Sequence, residues 1–320
     1  MSDLHHEKHL EAYIVDKLDK QGWLVGASFE YDKDFALYTT DLVDWIQETQ
    51  PTKWDKLVAL NADNALKVLK NRLDQALEKH GTVQVLRRGF DIAGCGHIDV
   101  SEAAPEDQRN QDVVARYAAN RLRVVPQLRY HHSADYEIDL VFFINGLPVA
   151  TVELKTDFVQ SAEAAKQQYR EDRLPVDPRT KRKEPLLTFK RGAVVHFAMS
   201  DSVIWMATKL AGENTFFLPF NQGNEGRAGN PPRSDGEYPV AYFWEDILDR
   251  DAWLRIFHSF VYVEKKEVVD LKGNWSTKET LIFPRFHQWA AVNKMIADAK
   301  ENGPGQAYLC EHSAGSGKTS

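Results

Sequence analysis

The residues of this chain best suited to do chemistry are an aspartate, a glutamate and a lysine: Asp139, Glu153 and Lys155. They lie in Tyr136-Glu-Ile-Asp-Leu-Val-Phe-Phe-Ile-Asn-Gly-Leu-Pro-Val-Ala-Thr-Val-Glu-Leu-Lys155, where two apolar runs flank the turn signal Asn145-Gly146. Such a segment reads as a β-hairpin. Side chains alternate between faces along a strand, so Glu153 and Lys155 share one. Charge on an apolar strand is costly to bury unless a partner such as a metal takes it up. With a two-residue loop and regular pairing, Ile144 faces Leu147 and Asp139 pairs with Val152, which puts the two carboxylates on opposite faces. A three-residue loop, or a bulge with the same effect, sets Asp139 opposite Glu153. We expect the second arrangement.

Two adjacent carboxylates repel unless a cation lies between them. Oxygen ligands of this kind suit Mg²⁺, with the Leu154 carbonyl as a further ligand. Bound Mg²⁺ would polarise a phosphate and acidify a water, while Lys155 orients that water and stabilises negative charge; this is the logic of phosphodiester hydrolysis. The plain alternative is a surface strand end with a Glu–Lys pair, since a Glu-x-Lys triplet alone is very common. The aspartate at hairpin distance brings the two readings level. Asp135, Glu137 and Asp157 read as solvated acids.

A second constellation closes the chain. Gln306-Ala-Tyr-Leu-Cys leads as a short strand into His312-Ser-Ala-Gly-Ser-Gly-Lys-Thr319, the core of a P-loop. Backbone N–H groups at Gly315 and Gly317 would cradle phosphate, Lys318 would reach the terminal phosphates of ATP, and the Thr319 hydroxyl would hold Mg²⁺. Neither the helix after the loop nor the acids that complete a motor site follow, so the chain reads as the front of a larger ATP-driven protein. Cys310, on the strand entering the loop, is expected to be a small buried thiol.

The elements that must position these groups follow from periodicity. His9–Gln21, Leu42–Thr49 and Trp54–Lys79 read as helices, the first ended by Gly22 and the last by Gly81. Val83–Leu86, Arg123–Tyr130, Glu137–Ile144, Val149–Lys155 and Ala193–Met199 read as strands. Ser161–Arg173, Tyr242–Lys265 and Leu281–Asn302 return to helix, and Leu174–Glu184 and Asn221–Pro239 are loops. Helices before and after a mixed set of strands define an α/β core.

With 320 residues the prior is two domains. The polar start is no signal peptide, no apolar run spans a membrane, and two distant cysteines fit a reducing cytoplasm. A net charge of −7 argues against a generic polyanion binder but leaves local patches open. The clearest patch runs from Arg170 to Arg191, diluted by Glu171, Asp172, Asp177 and Glu184; a solvated loop is the plain reading.

Asp139 followed by Glu153-Leu-Lys155 resembles the PD-(D/E)xK nuclease motif. Phe142-Phe-Ile-Asn-Gly-Leu-Pro148, Phe217-Leu-Pro-Phe-Asn-Gln-Gly223, Ala228-Gly-Asn-Pro231 and the P-loop together resemble restriction (R) subunits of type I restriction–modification enzymes, over residues 8 to 320. The resemblance implies a mixed sheet flanked by helices in a nuclease domain (1–265), then the start of a RecA-like motor domain (266–320). It implies an ATP-fuelled enzyme that translocates and cuts double-stranded DNA in complex with modification and specificity subunits. Asp139 and Glu153 would hold Mg²⁺ and Lys155 would be the catalytic lysine. Related nucleases draw a further acid from the first helix, which makes Glu11 a metal-ligand candidate, with an ordinary surface glutamate slightly favoured. They also carry a Gln-x-x-x-Tyr pair. Here Tyr169 is present as a DNA-positioning candidate, but Ala165 stands where the Gln is expected, so core packing is equally open. Phe283-Pro-Arg-Phe-His-Gln288 resembles the adenine-reading segment of superfamily 2 translocases, since a Gln amide can both donate to and accept from an adenine edge; a helix start with buried aromatics is the alternative. A non-catalytic nuclease-like module for DNA binding or subunit docking is the competing reading of the whole chain.

Overall fold

The hairpin strands β5 (Glu137–Ile144) and β6 (Leu147–Leu154) are apolar on both faces because both faces are covered. The computed structural model describes residues 3–132, 134–156, 161–269 and 273–310, with residues 3–6 described for their backbone only. Helix α1 (Asp3–Lys20) leads to the short strand β1 (Leu24–Val25). Four helices follow: α2 (Thr39–Thr49), α3 (Pro51–Asn61), α4 (Ala65–His80) and α5 (Thr82–Arg88). After the ribbon β2 (Phe90–Ile92)–β3 (Gly96–Ile98) and helix α6 (Gln111–Ala119), β4 (Leu122–Arg129) opens the main sheet. Helix α7 (Ala162–Glu171) connects β6 to β7 (Val195–Met199), and β8 (Ile204–Ala207) and β9 (Leu218–Pro219) complete the sheet. Helix α8 (Arg250–Arg255), a hairpin of β10 (Tyr262–Val269) with β11 (Trp275–Ile282), and α9 (Phe286–Asn302) follow.

The sheet has the order β1-β4-β5-β6-β7-β8-β9. It is mixed: β1 runs parallel to β4 and β6 parallel to β7, and the remaining pairs are antiparallel. One core joins α1, α2, α4 and α5 to the sheet residues Leu140, Phe142, Val152 and Phe197 and to Trp244, Trp253 and Phe283. A smaller core holds Val141, Phe143 and Ala198 against Ala165 and Tyr169 of α7. Each large side chain buried this way contributes about 1.5–3 kcal/mol.

Several expected elements differ. Val83–Leu86 lies in helix α5 rather than a strand: Val83, Val85 and Leu86 are buried, and the Thr82 hydroxyl donates to the Arg191 carbonyl at 2.7 Å. Tertiary burial outweighs the β-branched bias there. The long helix over 54–79 is broken into α3 and α4 at Ala62, whose φ is 46°. The helix expected over 242–265 stops at Phe260, where β10 takes over, and that expected from Leu281 begins only at Phe286. Residues 303–310 form no strand, and Cys310 is exposed, not buried as a strand thiol would be. The P-loop residues Gly315, Gly317, Lys318 and Thr319 lie outside the described residues, as does Asp157. No helix among the described residues is long and apolar enough to cross a membrane.

Candidate active site

Asn145 and Gly146 both take positive φ, 48° and 83°, the backbone of a tight two-residue turn in which Ile144 faces Leu147. That register alone would part the two carboxylates. It shifts between Phe143 and Phe142: Phe143 faces Pro148, Phe142 faces Ala150, and Val149 is the extra residue of a bulge. Beyond it Leu140 faces Val152, and the next step brings Asp139 level with Glu153. The bulge therefore does what a longer turn would have done. Buried Asn145 pins the turn, accepting the Arg121 N–H at 2.6 Å and donating to the Val100 carbonyl at 2.8 Å.

Asp139 Oδ2 accepts the Leu154 N–H at 2.7 Å, and Oδ1 faces the Gln127 amide at 3.3 Å. Glu153 is fully buried. Its Oε1 accepts from Arg173 Nε at 2.5 Å, while Oε2 has no hydrogen-bond partner. Burial, and next the charge of Asp139, push the Glu153 carboxyl up to about 8 against the pull of Arg173. Burial pulls Arg173 down, but Glu153 more than offsets it, so the guanidinium stays charged. Lys155, half-buried, donates to the Leu154 carbonyl at 2.9 Å and approaches Glu7 Oε2 at 3.3 Å.

Glu11 is not an ordinary surface acid. Helix α1 brings it to Gln127, whose amide donates to both Glu11 and Asp139. Burial raises its carboxyl to about 7; the Gln127 hydrogen bond opposes this and Asp139 adds to it. Gln127 holds a φ of 47°, rare for a residue with a side chain, at the strand position across from Asp139. Neither Gln127 nor Arg173 stands out in the sequence. Arg173 lies inside a basic run that reads as solvated, and only its burial and its bond to Glu153 mark it as different. Glu137 is tied to exposed Arg129, and Asp135 is exposed, in keeping with solvated acids.

Tyr169 is placed away from any surface. It is fully buried against His196 and Phe217, with its hydroxyl 2.7 Å from Thr151 Oγ1. This placement corrects the DNA-positioning expectation: a ring with no exposed atoms packs the core and leaves no face for a phosphate. Gln288 caps α9, its Oε1 accepting the Arg285 N–H at 2.9 Å, and lines a cleft of about 790 Å³ with His287, Phe283 and Phe216.

Fold and site together define a mixed α/β protein of nuclease-like build, with an Asp…Glu-x-Lys cluster at the open end of its central hairpin. Residues 5–215 match the family model for the type I restriction enzyme R protein N terminus, and the chain belongs to that family. No curated protein matches the chain.

Proposed function

We propose that this chain is the Mg²⁺-dependent DNA endonuclease part of a type I restriction R subunit, with residues 1–265 as the nuclease domain. Glu153 carries the reading: a fully buried carboxylate beside a second acid, with Oε2 unsatisfied. A buried acid in that state calls for a cation. Asp139 and Glu153 fit Mg²⁺, and Glu11 is tied to Asp139 through the Gln127 amide. Bound there, the ion would supply Lewis-acid activation of a phosphodiester and of water. The protein's own residues do the rest. Arg173 anchors one oxygen of Glu153 so that the other is held in place. The Leu154 N–H and Gln127 orient Asp139. Lys155, projecting from the same strand face as Glu153, places its ammonium to orient water and to offset charge on the scissile phosphate. For the motor portion, we propose that Gln288 reads the adenine edge of ATP held by Gly315, Gly317, Lys318 and Thr319.

The competing reading, a non-catalytic module for DNA binding or subunit docking, draws on one observation. Glu153 and Lys155 each already have a protein partner, Arg173 and Glu7. Plasmid cleavage by the complete ATP-fuelled complex separates the two. Cutting with Mg²⁺ but not EDTA, reduced in Lys155→Ala by roughly 100-fold or more, supports the nuclease. Equal cutting by wild type and Lys155→Ala, or none by either, supports the docking module.

A further inference from the structure

A second cluster of metal-binding side chains lies apart from the acidic site. His131 follows β4, and Asp177 and Glu184 bracket the exposed basic loop 178–183 that follows α7. All three are buried, and one ligand atom from each lies within 4.8 Å of the others. His131 Nε2 stands 3.0 Å from Asp177 Oδ2 and 3.3 Å from Glu184 Oε1. Asp177 Oδ1 is occupied by the Arg179 and Thr180 N–H groups, which aims Oδ2 inward. Glu184 is 2 % exposed, and its Oε2 has no hydrogen-bond partner.

The charges in this cluster do not balance through nearby cations alone. Lys33 Nζ donates to the His131 carbonyl at 3.0 Å, and Arg182 pairs with Asp34 at 2.7 Å, so each directs its charge to another oxygen. His131 Nδ1 accepts the Ala134 N–H at 2.9 Å, which makes the ring a neutral tautomer with its proton on Nε2. A neutral imidazole between two buried acids leaves negative charge over.

We propose that His131, Asp177 and Glu184 form a binding site for a divalent transition-metal ion of the Zn²⁺ type. One imidazole nitrogen with two carboxylates suits such an ion better than Mg²⁺ or Ca²⁺, which prefer oxygen alone. Loading requires one local change: the ring proton moves from Nε2 to Nδ1, and the Ala134 N–H contact opens. The ion would clasp the loop after β4 to the base of the basic loop. That base follows Arg173, the anchor of Glu153, so the clasp would set both the basic surface and one support of the acidic site.

The test is Zn²⁺ titration of the metal-stripped 320-residue chain by calorimetry, with metal content by mass spectrometry and His131 ring nitrogens followed by NMR. Glu184→Gln, His131→Gln and the double variant Asp139→Asn/Glu153→Gln are compared, each checked for folding by circular dichroism. The expected result is one Zn²⁺ per chain, kept in the double variant, weakened more than roughly tenfold in folded Glu184→Gln and His131→Gln, and outcompeting millimolar Mg²⁺. The tautomer change should accompany binding. Absence of Zn²⁺ binding in wild type, undiminished binding in folded Glu184→Gln or His131→Gln, or loss of binding only in the double variant would each overturn the site. The double variant also keeps this result separate from the nuclease assignment.

Discussion

Arg173 is the side chain on which the acidic site leans. Both members of its pair with Glu153 are buried, so removing one strands the other. At about pH 9, above the Glu153 value of about 8, Arg173→Ala should cost about 3–5 kcal/mol in urea unfolding, far more than loss of a surface ion pair. A cost under about 1 kcal/mol would mean that Glu153 is already neutral or hydrated. The raised carboxyls of Glu11, to about 7, and Glu153, to about 8, set a pH dependence. A group whose folded pKa exceeds its unfolded value stabilises the fold below the unfolded value, and that contribution is lost as pH rises through the folded one. Burial lowers His196 to about 3 and His258 to about 4, so both are neutral in either state once pH is above their ordinary value of 6.5. Between that pH and about 8.5 the metal-free chain should therefore lose melting temperature. If Mg²⁺ occupies the acids as proposed, saturating Mg²⁺ should flatten the loss by binding their deprotonated forms. A melting temperature that rises over this interval in EDTA would contradict the placement of the two glutamates.

At the scale of elements, the β5–β6 hairpin does the positioning. A tight turn and a bulge at Val149 act together, and either alone would set the carboxylates on opposite faces. Gly146, at the turn, has little freedom to change. Its φ is 83°, and an added Cβ would come within 2.4 Å of the Tyr38 carbonyl oxygen. Gly146→Ala should destabilise the chain by about 1–3 kcal/mol and, by shifting the turn, weaken divalent-ion binding at Asp139 and Glu153. Unchanged stability would show that the turn relaxes freely. Much of this element is legible in sequence: Asn-Gly between apolar runs predicts the hairpin, and the need to join two acids predicts an odd residue. Which residue bulges is not legible, because a bulge is chosen by packing on both faces of the sheet. Helix α5 makes the same point in reverse, since a Val-rich run is helical where its apolar side chains are buried against the core.

Over the whole molecule the charge is acidic, yet Arg179, Lys181, Arg182 and Lys183 form an exposed basic loop. If duplex DNA passes this loop, Lys181→Glu/Lys183→Glu should weaken binding and lessen the salt slope by about 0.9 for each phosphate no longer neutralised, as read by fluorescence anisotropy over a salt series. An unchanged slope would place the DNA path elsewhere. Membership in the type I R-subunit family implies DNA and the modification and specificity subunits as partners. The exposed remainder of the surface is compatible with docking of such subunits.

The sequence by itself determined the α/β class, the hairpin, the candidacy of Asp139, Glu153 and Lys155, and the family resemblance. These rest on local rules of periodicity, turn residues and the chemistry of short motifs. Tertiary structure alone decided that Glu11 joins the acids through Gln127, that Arg173 is buried on Glu153, that Tyr169 packs the core, and that His131 meets Asp177 and Glu184. Each of these depends on which side chains become neighbours across long stretches of chain. Burial then changes the energetics, because low dielectric turns an ordinary carboxylate into a group that must find a cation or a proton.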